Sequence, residues 1–179
     1  MARIPYYDPS TRDPKFNELV GKLGGIGIYR MMAHAEGALK GFGRLGNALL
    51  FNGRLDPVLR EIAIIRVGRL SRASYEVFQH ERIGRKVGMS DAMIAALRDG
   101  GEAPFNDLQK LVLRLTDEIV TNVKASDATF AALDKAIGHE AMVELVIAIG
   151  YYMMVSRFLE NFEVDGEPGQ SDWLKTANI

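Results

Sequence analysis

Residues 55–88, LDPVLREIAIIRVGRLSRASYEVFQHERIGRKVG, decide the fold of this chain. Asp56-Pro57 reads as an N-cap followed by proline at the first helical position. The apolar residues after it recur at three- and four-residue intervals, which predicts a helix. A short break around residues 72–74 separates it from a second helix, which Gly88 ends. Both helices carry ionisable residues on their apolar stripes. Glu61 shares a face with Val58, Ile64, Ile65 and Gly68, while Glu76 and His80 share one with Ala73, Ile83, Gly84 and Val87. A buried unpaired carboxylate is costly, so such a group is normally paired or functional. Folding the two helices back on each other at the break would carry Glu61 to His80.

Outward from this pair, helix punctuation is dense and strand signals are scarce. Ser90 caps DAMIAALRD, and Gly100-Gly101 with Pro104 interrupts the pattern. A helix from about Asn106 to Val123 follows. Ser126 caps DATFAALDKAI, Gly138 ends it, and a final helix runs from about His139 to Phe162. Residues 15–52 read as two or three further helices with glycine breaks. The expectation is a single all-α domain, a bundle of about seven or eight helices over 1–179, with its core at about 26–163 and a polar tail at 164–179. One internal echo aligns residues 80–97 with 116–133 without gaps. It reflects either a repeat or two convergent capped helices; if a repeat, Val112 and Thr116 stand in the second copy where Glu76 and His80 stand in the first.

Bulk properties exclude several classes. A chain of 179 residues with 47% hydrophobic and 25% charged residues is ordinary for a globular domain with a real core. The net charge of −1 gives no broad basic field, so neither nucleic acid nor an anionic membrane is expected as a partner. Arg60, Arg66, Arg69 and Arg72 form a local run, but Glu61 and apolar residues interrupt it, and it reads as a solvated or interface face. There are no cysteines, which removes disulfides, thiolate metal sites and any peroxidatic thiol. The N-terminus shows no apolar signal region. The stretch AMVELVIAIGYYMMV is short for a membrane span and carries Glu144. A cytoplasmic protein is expected.

Glu76 and His80 lie one helical turn apart, a spacing that lets carboxylate touch imidazole, raise its basicity and fix its tautomer. The competing reading is a buried structural network. A metal centre is disfavoured by spacing, because helical di-metal bundles repeat Glu-x-x-His on paired helices and this chain has a single Glu-x-x-x-His. No metal or cofactor is therefore expected. His34 and His139 read as helix-end residues, and Arg157 as a surface partner of Glu160. Gly41, Gly43 and Gly46 resemble a GxG pattern, but no strand precedes them, which argues against a dinucleotide site. The final helix is apolar around much of its circumference, including Tyr151, Tyr152, Met153 and Met154. That predicts a central helix or one covered by another subunit, with core or interface favoured over a ligand pocket for these side chains.

The stretch from residue 55 to residue 97 resembles the core of the carboxymuconolactone decarboxylase family, which shares its helical fold with alkylhydroperoxidase D-like proteins. AHAEGALKGFGRLGNALLF and GYYMMVSRFLENFEV extend the resemblance over most of the chain. The thiol peroxidases of that superfamily have a Glu, then Cys-x-x-Cys, then a His four residues on. By the resemblance, their Glu falls at Glu61, their His at His80, and their cysteines at Ala73 and Glu76. With both sulfurs missing, thiol-based peroxide reduction is not expected. The resemblance implies instead a cofactor-free lyase of the decarboxylase type with Glu61, Glu76 and His80 as catalytic residues. Its expected substrate is a small, anionic carboxylated lactone or related unsaturated carbonyl compound, its expected assembly a trimer-based homo-oligomer. Decarboxylation, isomerisation and hydration remain open, as does a non-catalytic ligand-binding oligomer.

Overall fold

The computed structural model describes residues 1–166; the polar tail beyond them lies outside the described residues. Among the described residues, after a short 3-10 turn at Pro9–Thr11, nine α-helices follow: α1 (Pro14–Lys22), α2 (Gly27–Met32), α3 (Glu36–Phe51), α4 (Pro57–Leu70), α5 (Ser74–Lys86), α6 (Asp91–Asp99), α7 (Asp107–Asn122), α8 (Asp127–Ile137) and α9 (His139–Phe162). The all-α expectation holds, with slightly more helices than expected because the first 52 residues divide three ways.

The caps explain the boundaries. Asp56 accepts from the amides of Val58 and Leu59, with Pro57 in the first turn of α4. Asn106 and Gln109 form a reciprocal capping box on α7. Ser90 and Ser126 cap α6 and α8. Gly138, at φ 81°, ends α8 and begins α9 without an intervening loop.

The α4–α5 corner is the joint that builds the site. Arg72 sits at φ 56°; its amide donates to the Arg69 carbonyl, and the Ala73 amide donates to Gly68 at 2.9 Å. This is a Schellman turn with arginine in the left-handed position that glycine usually fills. The same turn recurs at the end of α5 with Gly88 there, at φ 107°. The chain reverses, and α5 packs back along α4.

The expected apolar stripe on α4 turns out to be almost the whole circumference. Its buried residues include Leu59 to Ile65 without a gap, then Val67 and Gly68. The reason is its position: α4 lies between α5, α7 and α9 and packs on all three. α9 brings fully buried Leu145, Ala148 and Ile149 to the same core. By length and composition α9 could cross a membrane. Its Glu144 carboxylate accepts from the amides of Arg54 and Leu55 and pins the segment that leads into α4.

Gly68 marks the closest approach of α4 to α5. A Cβ there would lie 2.9 Å from Val77 Cγ2. Gly68→Leu is therefore expected to destabilise the fold. Overpacking costs about 1–3 kcal/mol, which outweighs the roughly 1 kcal/mol that leaving glycine gains in a helix. Thermal melting should show a clear fall.

Candidate active site: a buried chain of alternating charges

Glu61 projects from the middle of α4 and is fully buried; Glu76 and His80 come from the first two turns of α5 and are buried beside it. His80 Nδ1 donates to Glu61 Oε2 at 2.6 Å. On the opposite edge of the ring, His80 Nε2 lies 3.0 Å from Glu76 Oε1. That second contact is close but poorly directed, and Glu76 Oε1 is left without a hydrogen-bond donor in proper geometry. The structure thus brings together all three residues singled out from the sequence.

Arg60 is a fourth member of the cluster. Arg60, taken from the sequence as part of a solvated or interface face, is only 5% exposed. Its Nε donates to Glu61 Oε1 at 2.9 Å, and its Nη1 to the Leu50 carbonyl in the last turn of α3. That carbonyl has no partner within the helix, and the guanidinium supplies one. Of the other arginines in the run, Arg66 forms a bidentate pair with Asp117, and Arg69 reaches the Arg98 carbonyl. Glu81, also buried, bonds to Arg98 and ties α5 to α6. It shows a buried carboxylate in a structural role.

Arg60, Glu61, His80 and Glu76 form a line of alternating charge with no net charge. Burial of the His80 ring opposes its protonation, but the two carboxylates outweigh it and push its pKa up to about 10. His80 is an imidazolium at neutral pH, with Nδ1–H held by Glu61 and Nε2 facing Glu76. A folded-state pKa above the ordinary 6.5 means that its stabilising contribution is fully present below about pH 6.5. It declines as pH rises and is gone above about 10. Melting temperature should fall between pH 7 and 10, with a shallower slope in His80→Gln; scanning fluorimetry across that range measures both.

The outer end of the line opens into a cavity of about 120 Å³. Tyr75, Glu76, Gln79 and His80 line it from α5, and Tyr29, Phe42, Tyr151 and Tyr152 supply further aromatic walls. Tyr152 meets the His80 ring edge-on at 4.7 Å. Burial first, and the Glu76 charge after it, push the phenols of Tyr29 and Tyr152 upward, so both stay protonated. Tyr151 stacks on Phe42 and donates to its carbonyl at 3.0 Å. Gly46 makes room for this tyrosine, since a Cβ there would lie 2.6 Å from its hydroxyl. Tyr151 and Tyr152, assigned from sequence to core or interface, therefore also wall the cavity. Tyr29 and Phe42 carried no signal that set them apart from core.

A larger apolar cavity of about 390 Å³ lies beyond the Phe42–Tyr151 stack. Of its lining residues, His34 is bonded to the Pro5 carbonyl and Tyr151 to that of Phe42. His139 pairs with Asp134, and Arg157 donates to the Met153 carbonyl. Among the described residues, no group of three or more His, Asp or Glu is arranged to hold a metal ion. In the stretch that echoes α5, Thr116 turns its hydroxyl onto the Val112 carbonyl and both are fully buried, leaving no ionisable group there.

Comparison with known proteins bears on the fold and on family likeness. The profile of the carboxymuconolactone decarboxylase family matches residues 36–118, a span that contains Arg60, Glu61, Glu76 and His80. No curated protein matches the chain by sequence. Among solved structures, an alkylhydroperoxidase D core, an uncharacterized peroxidase-related protein from Ralstonia eutropha JMP134, superposes with a TM-score of 0.81 at 14% identity, covering 93% of each chain. A protein of unknown function from Agrobacterium tumefaciens, described as a putative antioxidant defence protein, gives 0.69 at 20% identity, over 76% of this chain and 94% of the other. The debrominase Bmp8, solved as a cysteine-to-alanine variant with 2,3,4-tribromopyrrole, gives 0.77 at 14% identity over 98% and 99%. These identities establish the shared fold. With its alkylhydroperoxidase D-like architecture, the chain shares the fold of these proteins, and its residues 36–118 match the carboxymuconolactone decarboxylase profile in a sequence without cysteine.

Proposed function

We propose that this protein is a cofactor-free acid/base enzyme that protonates a small unsaturated cyclic carbonyl compound. The observation that carries the reading is the buried Arg60–Glu61–His80–Glu76 line ending at a cavity. A structural network has no need of an open end, whereas a proton donor does. His80 is the acid: Glu61 holds Nδ1, and Nε2 lies at the cavity side beside Glu76. Glu76 stands where the resemblance places the second cysteine of the thiol peroxidases, so proton chemistry takes the place of sulfur chemistry. Decarboxylation, isomerisation and hydration of such a compound all need a carbon or oxygen to be protonated while charge develops on the conjugated carbonyl. That the debrominase of the same fold holds a pyrrole supports a small ring as the substrate's shape.

Homo-oligomerisation forms part of this proposal. Val143, Ile147 and Met154 expose apolar surface along α9, and Leu45 does so on α3. Light scattering at micromolar concentration should return a multiple of the 19.8 kDa chain mass, with a trimer as the unit. A monomer would remove this element.

The test of the acid/base reading is proton exchange. A panel of small unsaturated lactones and cyclic ketones is incubated with the protein in D2O and followed by NMR. Deuterium entering one carbon of a panel member with wild type, and not with His80→Gln, is the expected result. Saturable binding across the panel with no exchange would favour a non-catalytic binding oligomer instead.

A further inference from the structure

We infer that the His80 cavity recognises a neutral, planar ring bearing an O–H or N–H donor, and that Glu76 receives that donor. The inference rests on the acid/base reading for its chemistry, but its evidence is the cavity itself. Three observations carry it. Glu76 is 4% exposed and lines the cavity, and its Oε1 has no directed donor, only the ion-pair contact with His80 Nε2 at 3.0 Å. A buried acceptor in that state is an unmade hydrogen bond waiting for a partner. The second observation is charge. Arg60, Glu61, His80 and Glu76 already sum to zero, and Arg60 is spent on Glu61 and the Leu50 carbonyl behind the ring. An anionic ligand would add an uncompensated charge beside the Glu76 carboxylate in a buried aromatic site, and a cationic ligand would leave the site with an excess positive charge. A neutral donor satisfies Glu76 and disturbs neither balance. The third is shape. Tyr29, Phe42, Tyr75, Tyr151 and Tyr152 are aromatic walls of a cavity of about 120 Å³. A cavity of ~150 Å³ holds one benzene, so the space suits a single ring.

This ligand class closes a proton cycle. The ring's O–H or N–H proton passes to the Glu76 carboxylate as the ring's electron pair moves through its conjugated system. The proton on His80 Nε2 passes to the carbon at the far end of that system. The product is an isomer of the substrate, and no atom is gained or lost. Protonating Glu76 removes one of the two carboxylates that hold the His80 proton, so His80 becomes a stronger acid as the substrate is deprotonated. Across the 3.0 Å gap, Glu76 then returns its proton to Nε2 and restores the starting state. Isomerisation is thereby favoured over decarboxylation, which would require a bound carboxylate.

The test is a binding series on wild type at pH 7 by titration calorimetry, using phenol, anisole, benzoate and benzylammonium, with phenol repeated on Glu76→Gln. Phenol is expected to bind at least tenfold more tightly than anisole, which keeps the ring and loses the donor, and at least tenfold more tightly than either ion. Glu76→Gln should narrow the phenol–anisole gap several-fold. Equal affinity for phenol and anisole would overturn the inference, as would tightest binding of benzoate or of benzylammonium. Because the wild-type series stands alone, a poorly folding variant leaves it decisive. Phenol preference without deuterium exchange on any ring would keep this ligand class and overturn the acid/base reading. Exchange on an anionic substrate, with no phenol preference, would do the reverse.

Discussion

Replacing His80 with glutamine is expected to lower kcat by 10²–10⁴-fold, the range that removal of a positioned acid or base produces. Glutamine keeps much of the shape and can still donate toward Glu61, but it carries no transferable proton. The ring it replaces is buried between two carboxylates, at 2.6 Å from one and 3.0 Å from the other, with a pKa near 10. His34 and His139 are bonded to Pro5 and Asp134, away from this cavity, so neither can substitute. Glu76→Gln should also lower kcat, because His80 retains its proton and its Glu61 anchor but the cycle loses its acceptor. Rates must be expressed per folded molecule, with melting measured alongside. An unchanged rate per folded molecule in His80→Gln, with a large melting loss, would assign the line to stability alone.

The fold was legible where local chemistry determines it. Asp56-Pro57, Ser90, Asn106, Ser126 and Gly138 each supply a cap whose physics does not depend on distant residues, and the helices begin or end there. The pairing of α4 with α5 was also legible, because three ionisable residues on apolar faces across a short break have few other ways to be satisfied. Arg60 was not. Its neighbours in sequence place it beside three other arginines, and nothing local says that the end of α3 arrives to offer the Leu50 carbonyl. The full burial of α4 was hidden for the same reason. A stripe shows that one face is covered, whereas α7 and α9 cover the others through contacts made far along the chain. The cavity walls were the least visible: Tyr29 and Phe42 have the spacing of ordinary core residues, and it is their distance from His80 in space that gives them another role.

Glu61→Leu is expected to be the most destabilising change in the site, because it strips an acceptor from two cations at once. Arg60 Nε and His80 Nδ1 both donate to this carboxylate, and all three groups are buried. Breaking such a network by removing one partner typically costs about 3–5 kcal/mol, since the remaining charges stay buried and unpaired. Removing Arg60 together with Glu61 should behave differently. Arg60→Met/Glu61→Leu deletes one positive and one negative charge, leaves His80 facing Glu76 as a neutral pair, and fills the space with apolar atoms. The double variant should then be more stable than the sum of the two single losses predicts, by an interaction energy of roughly 0.5–3 kcal/mol, measurable by urea unfolding. Strict additivity would mean that the two residues do not share a network. Activity is expected to part company with stability in this variant. His80 would lose the acceptor that holds Nδ1 and orients its ring, so the double variant should fold better than Glu61→Leu while remaining as inactive. A purely structural line would have no such activity to lose, and recovery of stability would be the whole of the effect.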